Sequence, residues 1–218
     1  INTGGYTIEE SNKIKEKAIK LGAYSFTTID AVDLFYNTII KYLVFGNVLR
    51  NNTYPLSVSS ERTIQAMEIV NYAKKNKATH IAHGSTGAGN DQVRFDTIFQ
   101  ILAPEIKILS PIRDLKLTRE EEIDYLNQQG IKLSWEKAKY SINKGLWGTS
   151  VGGDETLTSD LKLPSSAYPG NLKNKDSKEI TLTFKNGEIS GINGEKYDSV
   201  TCIELISKQC DDYCIGRD

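Results

Sequence analysis

Apolar side chains recur at helical spacing through much of the first 130 residues of the chain. Such spacing puts three or four apolar residues on one face, which is typical of helices that pack against a sheet. Capping residues or glycines stand at most of the segment ends, and Thr118 with Glu121 three residues later fits a capping box. With their caps included, the pattern predicts helices over residues 9–21, 30–45, 59–75, 90–102 and 118–129. The helix over residues 90–102 is predicted to bury Phe95, Ile98, Phe99 and Leu102, which lie at helical spacing.

Short β-prone runs lie between these predicted helices. Residues 24–29, 79–82 and 106–109 carry β-branched or aromatic side chains next to turn-forming residues. Alternation of strands and helices is the pattern of a doubly wound parallel sheet, in which ligands bind at the carboxyl ends of the strands. We therefore predict an α/β domain with such a sheet over residues 1–131.

The pattern changes after residue 131. Residues 132–177 have few periodic apolar positions and many Gly, Ser, Pro and Asp residues, so we predict a long substrate loop or linker there. Beyond it, two apolar runs flank Asn186 and Gly187, which is the signature of a hairpin with a type I′ turn. Asp198 can then cap a last helix. Residues 178–218 are predicted to begin an α+β domain.

The stretch from Thr79 to Arg94 carries the strongest signal for ligand binding. It predicts a buried strand, a loop whose glycines adopt angles that other residues resist, and a helix capped by Asn90 or Asp91. Free N–H groups and the positive end of a helix dipole suit phosphate or carboxylate groups. The loop glycines are Gly84, Gly87 and Gly89. The alternative is an ordinary strand–loop–helix connection.

Three polar residues stand at the start of the helix that follows this loop. Asn90, Asp91 and Arg94 supply an amide, a carboxylate and a guanidinium, and residues 90 and 94 share a helix face. Such a set beside an anion-binding loop suits a ligand that carries both charges. We therefore expect an amino acid to bind there.

The composition argues against nucleic-acid binding, a metal site and a membrane-spanning segment. Lys and Arg total 27 against 28 Asp and Glu, so there is no basic excess for nucleic-acid binding. The chain has three Cys and two His residues without a Cys-x-x-Cys motif, and we expect no metal site. Free thiols favour the cytoplasm. No apolar run reaches the length of a membrane span.

The segment His83–Phe95 reads HGSTGAGNDQVRF, and it is similar to the signature of the argininosuccinate synthases. Three more segments resemble the family in the family's own order, and the resemblance covers most of the chain. They are 54–59 (YPLSVS), 108–113 (ILSPIR) and 140–150 (YSINKGLWGTS).

The resemblance implies an adenine nucleotide α-hydrolase-like fold and a carbon–nitrogen ligase of arginine biosynthesis. Enzymes of the family join citrulline to aspartate with ATP, through a citrullyl-adenylate, and release pyrophosphate and AMP. Mg²⁺ is expected to accompany ATP. The reaction needs positioning of ligands and neutralisation of phosphate charge, so we expect no catalytic acid or base.

The resemblance also implies a role for particular residues. The implied ATP contacts are Gly84 and Thr3. The implied aspartate contacts are Thr86, Asn90 and Asp91. The implied citrulline contacts are Asn90, Arg94, Tyr54, Ser59, Ser141 and Ser150. From the residue types alone, Tyr54 and Trp147 are packing residues, the two later serines are solvated, and His83 has a structural role.

The chain departs from the family pattern in four places. It lacks the N-terminal Ser-Gly-Gly-Leu-Asp-Thr-Ser type loop that grips pyrophosphate, and the C-terminal part that supports homotetramers. Ala88 stands where many relatives have Lys, and residues 143–145 replace an acidic stretch. We expect the central portion of a longer enzyme. The alternatives are a non-catalytic amino-acid- or nucleotide-binding fragment, and another ATP-pyrophosphatase-type enzyme.

Overall fold

A computed structural model describes residues 1–87, 89–131, 140–158, 160–174 and 176–216 of the chain. The chain divides into two compact units, each built from two separate stretches. The first unit comprises Ile1–Ala31 and Ser59–Lys137, and the second comprises Val32–Val58 and Ala138–Asp218. This division differs from the sequential bounds 1–131, 132–177 and 178–218, which stay a prediction about domains.

Helices predominate in the first unit. Its elements are α1 (Ile8–Lys20), most of α4 (Ser57–Lys75), β1 (His80–Ala82), α5 (Asp91–Leu102), β2 (Lys107–Leu109), α6 (Pro111–Leu115) and α7 (Arg119–Gln128). Thr7 and Thr118 each form a capping box, with Glu10 and Glu121 as the respective partners. The capping box predicted at Thr118 is thereby confirmed, because both reciprocal hydrogen bonds are present.

Strands β1 and β2 pair in parallel, with Ile81 opposite Ile108. One side of the pair packs on helices α4 and α5, and the buried cluster there joins Val70, Ile81 and Phe99. Phe95 and Ile98 pack against this cluster as predicted. Leu102 was predicted to be buried with them, but it is exposed. Leu102 is the last residue of α5, beyond the part of the helix whose apolar face packs on the cluster.

The predicted strand over residues 24–29 does not form, although the structure describes all six residues. A strand needs a hydrogen-bonded neighbour, and the described contact here is a single parallel bridge between Asn2 and Asp30. Asn2 N–H donates to Ile29 O at 2.8 Å, and Ala31 N–H donates to Asn2 O at 2.8 Å. The described residues therefore show a mixed α/β unit with a short parallel pair, and the complete doubly wound sheet stays a prediction.

The second unit combines short helices with hairpins. Its elements are α2 (Val32–Phe35), a π-helical segment (Tyr36–Ile40), α3 (Lys41–Phe45), β3 (Ser141–Gly145), β4 (Gly148–Gly152), β5 (Leu182–Lys185), β6 (Glu188–Ile192), β7 (Glu195–Lys196) and α8 (Ser199–Asp211). Short 3₁₀ turns occupy Asp154–Thr156 and Ser165–Ala167. Residues 30–45 were predicted as one helix and are indeed helical from Val32 onward, but the middle is π-helical.

The hairpins confirm one prediction and correct another. Asn186 and Gly187 have φ angles of 53° and 87°, as a type I′ turn between β5 and β6 requires. Asp198 caps α8 through Thr201 N–H, as predicted. The hairpin β3–β4, however, lies within residues 132–177, which were predicted as a loop. Half of the ten residues in its strands are Gly or Ser, against three β-branched residues, so β-propensity alone does not reveal the strands.

Candidate active site

The glycine loop follows β1 at the carboxyl end of the parallel pair. His83 N–H donates to Leu109 O at 3.0 Å, so the pairing with β2 continues to the start of the loop. Contrary to expectation, neither Gly84 nor Gly87 has a positive φ. A methyl group built on Gly84 would meet no atom within 4 Å. This glycine therefore leaves open space beside the backbone, into which a ligand can approach.

Helix α5 begins directly after the loop. Asn90 occupies the capping position, but its side chain makes no capping hydrogen bond, so the predicted cap is wrong in that respect. Its backbone is helical already at this residue (φ −80°, ψ −15°), which directs the side chain away from the usual capping geometry. Asn90 and Thr86 are both exposed. Their side chains are thus accessible beside the open loop.

Asp91 lies in the first turn of α5 between two arginines. Arg94 Nη1 contacts Asp91 Oδ1 at 2.8 Å, and Arg62 Nε contacts Oδ2 at 3.1 Å. The Asp91 side chain is 38% exposed, whereas Arg62, from helix α4, is 16% exposed. Each carboxylate oxygen therefore accepts one guanidinium hydrogen bond while its remaining lone pairs stay accessible to a cationic ligand group.

A second polar cluster lies deeper, around Glu61 in α4. Glu61 is only 6% exposed, and Thr3 Oγ1 donates to its Oε1 at 2.5 Å. Gln65 Nε2 donates to the same Glu61 oxygen at 3.1 Å. Burial raises the pKa of Glu61 above its ordinary value, and the Thr3 hydrogen bond and Arg62 oppose that effect. The side chain of Thr3, an expected ATP contact, is thus buried and bonded to protein.

Sequence reasoning missed Glu61 and Arg62, although a signal was present. Glu61 lies three residues before the buried Ile64, so helical spacing places its carboxyl group on the inward face of α4. A carboxylate on a buried face needs partners, because an isolated buried charge is strongly unfavourable. This requirement could have directed attention to Thr3 and Gln65.

We expect the stability of the protein to fall as pH rises through the titration of Glu61. Between the ordinary pKa of 4.5 and the raised pKa of the folded state, the native protein binds more protons than the unfolded chain. The free energy of unfolding therefore decreases with pH over that window, and the decrease is absent from Glu61→Gln. Urea unfolding of both proteins from pH 4 upward measures the difference.

Glu16→Gln, on the exposed surface of α1, is the matched control and should titrate like the unaltered protein. A free energy of unfolding that rises with pH relative to Glu61→Gln would contradict the prediction. That result would mean that the attraction between Glu61 and Arg62 outweighs the effect of burial.

His83 takes part in a structural cluster behind the loop. Ser85 N–H donates to His83 Nδ1 at 3.3 Å, which leaves the proton on Nε2, and Nε2 lies 2.9 Å from Asp96 Oδ1. Asp96 also pairs with Arg113 of α6. Gln92 Nε2 donates to Gly87 O at 2.7 Å, so a second contact holds the loop on α5. These bonds agree with the structural role predicted for His83.

The remaining expected citrulline contacts divide between the units. Ser59 lies on α4 in the first unit, whereas Tyr54, Ser141 and Ser150 lie in the second. Tyr54 and Ser150 line one cavity of about 460 Å³, but Ser141 is exposed on β3 and does not line it. The Tyr54 hydroxyl accepts a hydrogen bond from Val58 N–H at 3.1 Å. Two of these three residues therefore share a space large enough for a small ligand.

Trp147 lies half-buried in the turn between β3 and β4. Its Nε1–H donates to Pro55 O at 3.0 Å, so this hydrogen bond links the turn to the segment that contains Tyr54. This contact agrees with the packing role predicted for Trp147, because the polar edge of a packed indole usually finds a partner. The bond fixes Tyr54 at the wall of the cavity.

Residues 2–132 match the family model described as Arginosuccinate synthase N-terminal HUP domain. The chain belongs to the argininosuccinate synthase family. This match covers the glycine loop, Asp91 and both of its arginine partners, and it confirms the adenine nucleotide α-hydrolase-like class that the resemblance implied. No helix in the described part of the chain is long and apolar enough to cross a membrane.

Relatives that carry the family name match nearly the whole chain. The argininosuccinate synthase of Saccharolobus solfataricus is 39% identical over 210 residues, which is 96% of this chain and 54% of that protein. The argininosuccinate synthase of Methanocaldococcus jannaschii is 38% identical over 216 residues, 98% of this chain and 54% of that protein. That of Pyrococcus furiosus is 35% identical over 213 residues, with shares of 96% and 52%. The chain thus spans about half the length of the curated relatives it matches.

Proposed function

We propose that the intact protein ligates citrulline and aspartate with ATP to form argininosuccinate, releasing AMP and pyrophosphate. The observation that carries this proposal is the accessible Asp91 carboxylate, which two arginines hold in the first turn of the helix that follows the glycine loop. A carboxylate in that position suits the ammonium group of an amino acid, and the loop suits a phosphate or carboxylate. The name of the relatives supports the same reaction.

The reaction proceeds in two displacements. The ureido oxygen of citrulline attacks the α-phosphate of ATP, and pyrophosphate leaves to give a citrullyl-adenylate. The ammonium group of aspartate loses one proton to solvent, the resulting amine attacks the ureido carbon, and AMP leaves. The protein holds the reacting atoms in line and stabilises phosphate charge, so none of its side chains need transfer a proton.

Each ligand is assigned a set of contacts in this proposal. Gly84 lets its backbone approach ATP, with Thr3 near the nucleotide through its backbone, since the Thr3 side chain is bonded to Glu61. Aspartate is held by Thr86, Asn90 and Asp91. Citrulline is held by Asn90, Arg94, Tyr54, Ser59, Ser141 and Ser150.

Magnesium is proposed to arrive with ATP rather than on a protein site. Within the described residues, no three His, Cys, Asp or Glu side chains gather as a metal site. Mg²⁺ in enzymes of this kind is commonly held by substrate phosphates with few protein ligands. The doubly wound sheet, a homotetramer and a cytoplasmic location are proposed for the complete protein.

A direct assay tests the ligase against its alternatives. The intact protein is incubated with citrulline, aspartate, ATP and Mg²⁺, and argininosuccinate, AMP and pyrophosphate are measured together. The proposal requires all three products in equal amounts. Binding of the amino acids without turnover would favour the non-catalytic fragment. AMP release that depends on a different acceptor would favour another ATP-pyrophosphatase-type enzyme.

We expect Gly84→Val to weaken ATP use without unfolding the protein. A Cβ at this residue meets no protein atom within 4 Å, so stability should change by only about 0.5 kcal/mol. The added side chain fills the space that the proposal gives to the nucleotide, and the KM for ATP should rise about 10-fold or more. Citrulline-dependent exchange of pyrophosphate into ATP measures the change.

Thr97→Val places a valine on the exposed face of α5 outside the loop and should leave exchange unchanged. An ATP dependence that is the same in Gly84→Val and in the unaltered protein would place the nucleotide elsewhere.

A further inference from the structure

Asp91 is held from two different helices. Arg94 lies three residues further along α5 itself, so that ion pair is local and is 30% exposed on the arginine side. Arg62 comes from α4 and reaches Asp91 Oδ2 through Nε, with less exposure of its own side chain. The contact between Arg62 and Asp91 therefore fixes the start of α5 against α4, which the local pair cannot do.

Arg62 is itself positioned by its neighbours on α4. Its Nη1 donates to Gln65 Oε1 at 3.0 Å, and the same nitrogen lies 3.9 Å from Glu61 Oε2. Glu61 is in turn held by Thr3 and Gln65. The guanidinium thus has Nη1 committed to α4 and Nε directed at Asp91, an arrangement that a single rotamer of Arg62 provides.

We propose that Arg62 is a positioning residue that orients the Asp91 carboxylate for the amine of aspartate. This inference rests on the proposed ligase function. Arg94 is the expected citrulline contact, so its guanidinium is shared between the substrate and Asp91. Arg62 then remains as the partner that fixes one carboxylate oxygen and leaves the lone pairs of the other for the ammonium group.

The two half-reactions separate this role from a general loss of structure. In Arg62→Gln, formation of the adenylate should persist, because citrulline and ATP do not require Asp91 to be oriented. Citrulline-dependent pyrophosphate exchange should stay within about 2-fold of the unaltered protein, whereas the KM for aspartate should rise about 10- to 100-fold. A purely structural role would lower both half-reactions together.

Three further variants complete the test. Arg62→Lys keeps the charge but loses the planar fork, so it should give an intermediate KM for aspartate and serves if Arg62→Gln does not fold. In an Asp91→Asn background, Arg62→Gln should add little further loss, because the two residues act as a unit. Lys75→Gln on the exposed end of α4 is the control for loss of one positive charge.

The possible outcomes test the ligase function and the positioning role of Arg62 separately. If the unaltered protein forms no argininosuccinate, the ligase function fails and the role of Arg62 fails with it. If the unaltered protein is active and Arg62→Gln reduces both half-reactions equally, or changes neither, only the positioning role is overturned. Additive losses in Arg62→Gln and Asp91→Asn would overturn it as well.

Discussion

Alanine in place of Asp91 is expected to lower aspartate-dependent release of AMP by about 100-fold or more, and to spare citrulline-dependent pyrophosphate exchange. The substitution removes the carboxylate proposed to hold the ammonium group of aspartate. Loss of one partner from a close charge pair amounts to about 2–5 kcal/mol, and each 1.4 kcal/mol is a factor of ten. The adenylate forms before aspartate reacts, so the first half-reaction does not need Asp91.

The measurement compares the two half-reactions in one preparation. Pyrophosphate exchange is followed with citrulline and ATP alone, and AMP release is followed after aspartate is added. Asp91→Asn keeps the shape of the side chain but has a single acceptor oxygen, so it can keep the hydrogen bond to only one of Arg62 and Arg94. It separates loss of the charge from loss of the whole side chain. Asp124→Asn, exposed on α7, is the control for an altered carboxylate elsewhere.

A fall in exchange as steep as the fall in AMP release would contradict the role given to Asp91. In that case Arg94, released from Asp91, would be disturbing the citrulline site, and the carboxylate would serve mainly to hold that arginine. Retention of full AMP release in Asp91→Ala would contradict the aspartate site altogether.

Replacement of Phe99 by alanine is expected to destabilise the protein by about 3–5 kcal/mol, the usual range for a buried Phe. Phe99 is 1% exposed in the core cluster, and its ring stacks on Phe95 with centroids 5.9 Å apart. The total free energy of unfolding of a typical domain is only about 5–15 kcal/mol, so the loss is severe. Urea unfolding followed by far-ultraviolet circular dichroism measures it.

The same substitution should also disturb the glycine loop. The His83 ring lies 6.3 Å from the Phe99 ring, and His83 holds Ser85 and Asp96. Val93→Ala, on the same helix but 59% exposed, is the matched control and should change stability by only about 0.5 kcal/mol. Equal losses in the two variants would mean that the cluster around Phe99 is not the core of the first unit.

Local signals in the sequence predicted local structure well. The Thr118 capping box and the Asn186–Gly187 turn depend on residues three or fewer positions apart, and both form as predicted. The helix that buries Phe99 was likewise found from its spacing. In each case the deciding signal lies in a few residues that are close in the sequence, so the local sequence suffices to predict the structure.

Features that depend on distant partners were not predictable in the same way. The contact between Arg62 and Asp91 joins residues 29 positions apart on separate helices. The sequence around either residue does not indicate that the other is its partner. The missing strand over residues 24–29 depends on whether a neighbour pairs with it. Gly84 was expected to adopt a backbone angle that other residues resist, but its φ is not positive. Instead it leaves open space beside the backbone, which can be judged only from the positions of the surrounding atoms.

The π-helical segment from Tyr36 to Ile40 has a consequence for homologous chains of different length. Such a segment accommodates an extra residue within a helix, since its hydrogen bonds span five residues instead of four. Deletion of one residue there would restore ordinary α-helical geometry while Phe35 and α3 keep their helical form. One-residue gaps between relatives should therefore be tolerated at this point, whereas a gap elsewhere in the helix would rotate its apolar face by about 100°.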